Sequence, residues 1–177
     1  RVVNLSSSFI ERYAGTGTTG LAGDGGPATS AQLNRPVYLA GDTAGNLYIA
    51  DHSNHKVRKV THSTGLISTY AGTGSAGSVD NAQATSGTLH TPLGLFLLTA
   101  TNDLYIGSEL SDKVRKVSGS TGALSTVAGT GTPSFSGDGG PATSATLHTP
   151  YGVWASSVSG HVYISDHFNN CVRVVDG

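Results

Sequence analysis

The stretch Ala14-Gly15-Thr16-Gly17 occurs three times in the chain, because the same four residues return at 71–74 and at 128–131. Both intervals are 57 residues long. A second stretch, Val57-Arg58-Lys59-Val60, returns unchanged at 114–117 and in altered form at 172–175. Self-similarity at a fixed period of this length indicates a repeat architecture, in which each unit packs against its neighbours.

Each unit contains four short apolar runs. In the second unit they cover residues 92–98, 103–107, 113–118 and 124–128, and Gly, Ser, Asn or Asp lies between them. Such runs predict β-strands, and no segment shows a sustained helical period with caps. Four strands per unit predict an all-β fold, a β-propeller of four-stranded antiparallel blades, with the first and most apolar strand along the axis.

The repeat divides the chain into one partial propeller, residues 1–177. We assign residues 1–14 to the end of a preceding blade, 15–71 to blade 1, 72–128 to blade 2 and 129–177 to blade 3, which lacks its last strand. Each blade starts with a long loop, here called its leading loop. Because a propeller closes with four to eight blades, we expect further blades or neighbouring subunits to complete the ring. The third-strand sequence Arg-Val-Val stands at both 1–3 and 173–175, which favours a longer array or a polymer over a closed pair.

Two motifs resemble the NHL-repeat family of β-propellers. Residues 45–51, Gly-Asn-Leu-Tyr-Ile-Ala-Asp, are followed by Asn54-His55 and the basic strand 56–60. The loop 23–31, Gly-Asp-Gly-Gly-Pro-Ala-Thr-Ser-Ala, returns at 137–145 and is similar to a long-loop subgroup to which teneurin-type propellers are related. The resemblance implies NHL-like blades. Unit two departs from it, with Ser108 at the turn Asp and Asp112 at the His of Asn-His.

Composition excludes several partners. Only 12% of the residues are charged and the net charge is −1, so no strong field would attract nucleic acid or anionic lipid. The longest apolar stretch, residues 92–98, is too short to cross a bilayer, so we predict no membrane insertion. Cys171 is the single cysteine, which excludes an internal disulfide and a cysteine zinc cluster. The expected partners are proteins, glycans or further copies of this chain.

Alternating strand directions bring the loop before strand one and the turn after strand two to the same end of the propeller. We predict a ligand or partner face there, formed by Asn34, His52, His90, Glu109, His148 and His167. Imidazole and carboxylate can bind first-row metals, but the sets are incomplete and no close His-x-x-x-His spacing occurs. We therefore predict no metal, no cofactor and no catalytic residue. Two Gly-x-Gly-x-x-Gly matches, at 15–20 and 72–77, lack the following helix that a dinucleotide site requires.

Other repeated polar residues indicate architecture. Asp51 and Asp166 follow the second strand, where a carboxylate can accept hydrogen bonds from turn amides. Arg58, Arg115 and Arg173 recur once per blade, and we expect their guanidinium groups to bridge neighbouring blades. Asn4, in Asn4-Leu5-Ser6, is an N-glycosylation acceptor if the chain is secreted.

These features favour a non-catalytic, extracellular or cell-surface module for binding, adhesion or structural assembly, such as a filament. The alternative is a propeller enzyme of lyase or hydrolase type, with a His-lined metal site in the central funnel. Four histidines at one end, His52, His90, His148 and His167, support this alternative. No Gly-x-Ser-x-Gly nucleophile motif is present.

Overall fold

The computed structural model describes residues 1–3 and 8–177, and these residues form an all-β structure. The strands are β1 Val2–Val3, β2 Ile10–Glu11, β3 Pro36–Gly41, β4 Leu47–Asp51, β5 Lys56–Val60, β6 Ile67–Ala71, β7 Pro92–Leu98, β8 Asp103–Ser108, β9 Lys113–Val117, β10 Leu124–Ala128, β11 Pro150–Ala155, β12 Val162–Asp166 and β13 Cys171–Val175. Short 3₁₀ turns cover Ala28–Ser30, His52–Asn54, Ala142–Ser144 and His167–Asn169.

The strands of unit two agree with the sequence prediction to within one residue at each end. The agreement has a local cause, since apolar runs alternate with turn formers that end each strand. The residue after the 3₁₀ turn adopts a left-handed conformation in blades 1 and 3, at His55 and Asn170. This reversal sends the chain directly into the third strand.

The strands form antiparallel meanders. Blade 1 has the order β3-β4-β5-β6, blade 2 has β7-β8-β9-β10 and blade 3 has β11-β12-β13, while β1 pairs with β2 ahead of them. The first strands contact each other in succession, β3 with β7 and β7 with β11. These strands therefore lie innermost, as predicted, and the chain has the blade arrangement of a β-propeller.

The hydrophobic core lies between the blades. Tyr48 and Val57 of blade 1 belong to the same buried cluster as Leu95 and Leu104 of blade 2. A second cluster joins blade 2 to blade 3 through Tyr105, Val114, Val162 and Ile164, among others. Each blade thus buries one face against the next, the packing that makes stacked repeats stable.

The leading loops bring a common backbone geometry to the start of each first strand. The residue before each strand-opening proline has a positive φ, at Arg35, Thr91 and Thr149. Because such values are rare for residues other than glycine, their recurrence shows that the three loops end in the same conformation. No helix in the described residues has the length and apolar character needed to span a bilayer.

Candidate functional site

The turn after the second strand carries His52, Glu109 and His167 at equivalent positions of the three blades. In blades 1 and 3 the 3₁₀ turn begins at this residue, His52 and His167. The end of the leading loop packs against the turn, since the Asn34 carbonyl accepts from the Ser53 amide at 3.1 Å and the His148 carbonyl from the Phe168 amide at 3.1 Å. Loop and turn therefore do lie at one end of the propeller.

His52 and Glu109 bind each other across the boundary between blades 1 and 2. His52 Nε2 lies 2.7 Å from Glu109 Oε2, and His52 Nδ1 lies 3.2 Å from Ser53 Oγ. His52 is only 4% exposed. Both imidazole nitrogens have partners within the protein, so this pair joins two blades.

His90 packs against His55, a residue that was not predicted for the site. Their ring centroids lie 5.4 Å apart in an edge-on arrangement, and His55 Nδ1 accepts a hydrogen bond from the Thr91 amide at 3.1 Å. Burial lowers the pKa of His55, and His90 and His52 lower it further. The Asn-His pair of the repeat motif was the sequence signal that marked this position.

His148 and His167 of blade 3 both pack against the ring of Phe168. The His148 and Phe168 ring centroids are 5.0 Å apart, and those of His167 and Phe168 are 4.7 Å apart. His167 also lies 5.8 Å from the ring of Tyr151. His167 is exposed, unlike its blade 1 counterpart His52.

The six predicted residues thus form separate contacts at the end of the propeller where the loops and turns meet. Asn34 contributes its backbone amide, which donates to Asp51 Oδ1 at 2.7 Å. Within residues 1–3 and 8–177, no three His, Cys, Asp or Glu side chains come together as a metal-binding group. The ligand or partner role of the six residues stays a prediction.

Asp51 and Asp166 are fully buried and organise the junction of loop and turn. Each accepts a backbone N–H from the leading loop, that of Asn34 or of His148, both at 2.7 Å. Within the turn, each accepts from a side-chain amide, that of Asn54 or Asn169, both at 2.8 Å. The donors within the turn are therefore the side-chain amides of asparagines. The backbone N–H that donates to each aspartate belongs to the leading loop. Burial raises the pKa of Asp51, an effect that these hydrogen bonds and Arg58 partly offset.

The three arginines do not bridge neighbouring blades as predicted. Each one binds the leading loop of its own unit, where Arg58 pairs with Asp24, Arg115 with Asp80 and Arg173 with Asp138. The prediction was wrong because the loop folds back over the third strand. In blade 1 the loop also meets the fourth strand, where Thr69 Oγ1 donates to Asp24 Oδ2 at 2.5 Å.

An exposed apolar face on blade 3 was not predicted. Its members are Tyr151, Trp154, Tyr163, Phe168, Val172 and Val174. Strand pairing aligns Tyr163 with Tyr48 and Tyr105, both of which are buried between blades. Val174 stands where the earlier units have Lys59 and Lys116, and this change to valine was the signal available in the sequence.

Two remaining predictions concern single residues. Cys171 opens β13, the third strand of its blade, as the repeat register predicts, and its thiol is free. Asn4 lies outside the described residues, so its proposed glycosylation stays a prediction.

No family model matches the chain. Among curated proteins, it is 27% identical over 185 residues to Protein SUPPRESSOR OF QUENCHING 1, chloroplastic, of Arabidopsis thaliana. The match covers 99% of this chain and 17% of that protein. The chain therefore corresponds to about a sixth of the relative's length.

Solved structures show similar folds. A Bacteroides thetaiotaomicron protein of unknown function has a TM-score of 0.64 and 24% identity, with 75% of this chain and 32% of that chain covered. An auxiliary nutrient binding protein of Bacteroides ovatus has a TM-score of 0.56 and 20% identity, with 73% and 34% covered. Virginiamycin B lyase of Staphylococcus aureus, in a catalytically inactive form with quinupristin, has a TM-score of 0.51 and 12% identity, with 82% and 41% covered. The chain has a β-propeller fold, and it spans about a third of the length of the first two structures.

Proposed function

We propose that this chain is a non-catalytic binding and assembly module, in which the apolar face of blade 3 seats another blade of the same kind. The support is the exposed set Tyr151, Trp154, Tyr163, Phe168, Val172 and Val174, named here the forward face. Val172 is 71% exposed, whereas its counterparts Val57 and Val114 are fully buried between blades. Because the equivalent positions in blades 1 and 2 are covered by the next blade, we infer that the forward face is covered by another blade.

Blade 1, at the other end of the row of three blades, exposes the surface that in blades 2 and 3 packs against the preceding blade. Leu39 on the first strand of blade 1 is 55% exposed, while its counterpart Leu95 in blade 2 is 3% exposed. Between blades 1 and 2, and between blades 2 and 3, the equivalent of the forward face in one blade packs against this surface of the next blade. Contacts of this head-to-tail type generate rings when the rotation closes and polymers when it does not.

A groove beside β13 supports the same proposal. In blade 1 the fourth strand lies between the third strand and the leading loop, with the Ile67 amide donating to the Gly26 carbonyl at 3.0 Å. Blade 2 repeats this contact, and the Leu124 amide donates to the Asn81 carbonyl at 2.8 Å. In blade 3 a groove of about 340 Å³ separates residues 137–142 from β13. Its walls offer the backbone groups that an added strand would pair with.

Sedimentation of the purified chain tests the proposal. We expect concentration-dependent association in the wild-type chain, and at least about a tenfold weaker association in Val172→Asp, because a buried unpaired charge costs several kcal/mol. Val158→Asp is the matched control, since Val158 is 96% exposed on a turn away from this face. A wild-type chain that stays monomeric at all concentrations, or equal effects of the two variants, would contradict assembly through this face.

The enzyme alternative depends on free imidazoles at the loop and turn end. Metal analysis of the purified protein distinguishes the two functions, and we expect no stoichiometric metal. Stoichiometric metal that is lost when His90 and His148 are replaced would overturn the binding-module proposal. The resemblance to a lyase concerns the fold alone.

We also propose an extracellular or cell-surface location, based on the low charge and the small polar loops. Expression through a secretory route, followed by enzymatic removal of N-glycans, tests this location. We expect a mass decrease that Asn4→Gln abolishes. A chain that is retained inside the cell would contradict the location without affecting the assembly test.

A further inference from the structure

The groove beside β13 has the same lining as the socket of a buried residue in blade 1. Ile67, on the fourth strand of blade 1, is fully buried. Its cluster contains Ala28, Ala31, Ile49 and Val60. Strand register and the repeat align these four with Ala142, Ala145, Ile164 and Val175, all of which line the groove. The groove therefore matches the socket of one fourth-strand side chain.

Residues 9–14 carry the fourth-strand position of the repeat. Ile10 stands 57 residues before Ile67, and it pairs with Val3 as Ile67 pairs with Val60. Ile10 is 59% exposed, whereas Ile67 and its counterpart Leu124 are 0% and 2% exposed. Ile10 thus has the repeat position of a core residue but the exposure of a surface residue.

Strand β2 is attached to blade 1 in the way that β6 is attached to blade 2. The Gly15 amide donates to the Ala28 carbonyl at 2.9 Å, and the Gly72 amide donates to the Ala84 carbonyl at 2.9 Å. Tyr13 also packs against the blade 1 cluster. Each of these strands is therefore held by the leading loop of the blade that follows it. A blade 1 that docks on the forward face of another copy brings its own β2 to the edge of that copy's β13.

The aromatic residues of β2 and the forward face fit this placement. Tyr13 stands where the next unit has Tyr70, and the Tyr70 ring packs edge-on against Tyr48 with the centroids 4.8 Å apart. Tyr163 of the forward face is the counterpart of Tyr48. With β2 beside β13, Tyr13 of one copy meets Tyr163 of the other.

Charge complementarity favours the same pairing. In blades 1 and 2 a fourth-strand threonine hydroxyl donates to the aspartate of the leading loop, from Thr69 to Asp24 and from Thr126 to Asp80. Arg12 stands at this position in residues 9–14. The corresponding aspartate of blade 3 is Asp138, whose side chain is 67% exposed. A cationic side chain is therefore aligned with an exposed carboxylate.

Strand β1 holds β2 less extensively than a complete third strand can. Two residue pairs join β1 to β2, Val2 with Glu11 and Val3 with Ile10. In blade 1 the third strand, β5, forms four such pairs with β6, and β13 is as long as β5. Because an edge strand can add a strand from another chain, exchange of β2 from β1 to β13 increases the pairing and buries Ile10.

We propose that residues 9–14 of a second copy leave β1 and pair with β13 as the fourth strand of blade 3, with Ile10 in the groove and Arg12 beside Asp138. This strand exchange rests on the proposed function, the head-to-tail association of copies, and specifies the segment that enters the groove. Main-chain hydrogen bonds then join two copies in addition to their apolar faces.

Disulfide trapping tests the register of the exchange. Glu11 and Val174 are exposed and stand where Ser68 and Lys59 pair in blade 1. Aligned residues of neighbouring strands have Cα atoms about 4.5–5.5 Å apart, a distance that a disulfide spans. We expect an oxidised mixture of Glu11→Cys and Val174→Cys chains, both also Cys171→Ser, to form the mixed disulfide, identified by mass spectrometry.

The matched control for trapping mixes Glu11→Cys with Val158→Cys in the same Cys171→Ser background. Val158 is 96% exposed on a turn, so its cysteine meets Glu11→Cys only through random collision. Equal yields in the two mixtures, or no mixed disulfide with Val174→Cys, would overturn the exchange.

Sedimentation separates strand exchange from contact between faces alone. Ile10→Asp places a charge in the apolar groove, and we expect it to weaken association at least about tenfold. Phe9→Asp is the control, because Leu66 at the equivalent position of blade 1 is 41% exposed. Equal effects of these two variants would overturn the exchange.

The variant Val172→Asp distinguishes the two proposals. If Val172→Asp weakens association and Ile10→Asp does not, the blades meet through their faces, so the exchange is overturned and the head-to-tail association stands. If the wild-type chain stays monomeric at all concentrations, both are overturned.

Discussion

The Nε2 atom of His52 in blade 1 lies 2.7 Å from the Oε2 atom of Glu109 in blade 2. The two residues occupy equivalent turns of successive blades, 57 residues apart. The bond therefore joins one unit to the next outside the hydrophobic core. His52 is nearly buried, while the Glu109 side chain is 33% exposed.

Replacing Glu109 by alanine is expected to destabilise the protein by about 1–2 kcal/mol, because buried His52 Nε2 loses its partner. Urea denaturation measures this change as a lower midpoint. Glu11→Ala is the control, since Glu11 is exposed in β2. Equal midpoints for the two variants would show that the bond between the blades contributes nothing to stability.

His55 predicts a pH dependence of stability. Burial, His90 and His52 lower the pKa of folded His55 below its ordinary value of 6.5. Below about pH 6.5 the unfolded chain therefore binds more protons than the folded chain, and stability falls as the pH decreases. Protonation would also remove the Nδ1 acceptor of the Thr91 amide.

The variant His55→Asn tests this dependence, because asparagine tolerates the left-handed backbone of residue 55. We expect a smaller loss of stability between pH 7 and pH 5 than in the wild-type protein, measured by urea unfolding at each pH. His62→Asn, at an exposed position, should lose as much stability between pH 7 and pH 5 as the wild-type protein. If His55→Asn loses as much stability as the wild-type protein, another group is responsible for the loss of stability at low pH.

Two glycines with positive φ allow a matched comparison of backbone strain and steric overlap. Gly129 has a φ of +96°, and an added Cβ would overlap the Asp112 carbonyl oxygen and lie 3.0 Å from Lys113 Cα. Gly122 has a φ of +72° with open space around it. We expect Gly122→Ala to cost about 1 kcal/mol and Gly129→Ala about 3 kcal/mol. Chemical denaturation compares them, and similar costs would show that the loop moves to admit the methyl group.

Arg58→Lys is expected to cost about 2 kcal/mol, although the charge is kept. The buried guanidinium contacts Asp24, Asp51 and the Gln32 carbonyl at the same time, and a lysine ammonium cannot span the three. Arg12→Lys is the control, since Arg12 is exposed and, within residues 1–3 and 8–177, donates only to the Thr16 carbonyl at 3.3 Å. A cost no greater than that of Arg12→Lys would mean that the charge alone holds the leading loop.

The blades were predictable because their causes are local. Apolar runs bounded by Gly, Asn, Asp and Ser determine where each strand begins and ends, and the 57-residue interval aligns the units. The site was predictable only as a location. Strand directions brought Asn34, His90 and His148 to the end that carries the turn residues, but they could not show that His52 would bind Glu109.

By itself, the sequence determined the repeat, the four strands of a complete unit and the end of the propeller at which loops and turns meet. Only the tertiary structure decided that each arginine binds its own leading loop, that His52 pairs with the next blade and that a groove lies beside β13. Strand formation depends on neighbouring residues along the chain, whereas the arginine contacts and the His52–Glu109 contact join residues about 30 to 60 positions apart. Their formation depends on how the loops fold back and how the blades pack.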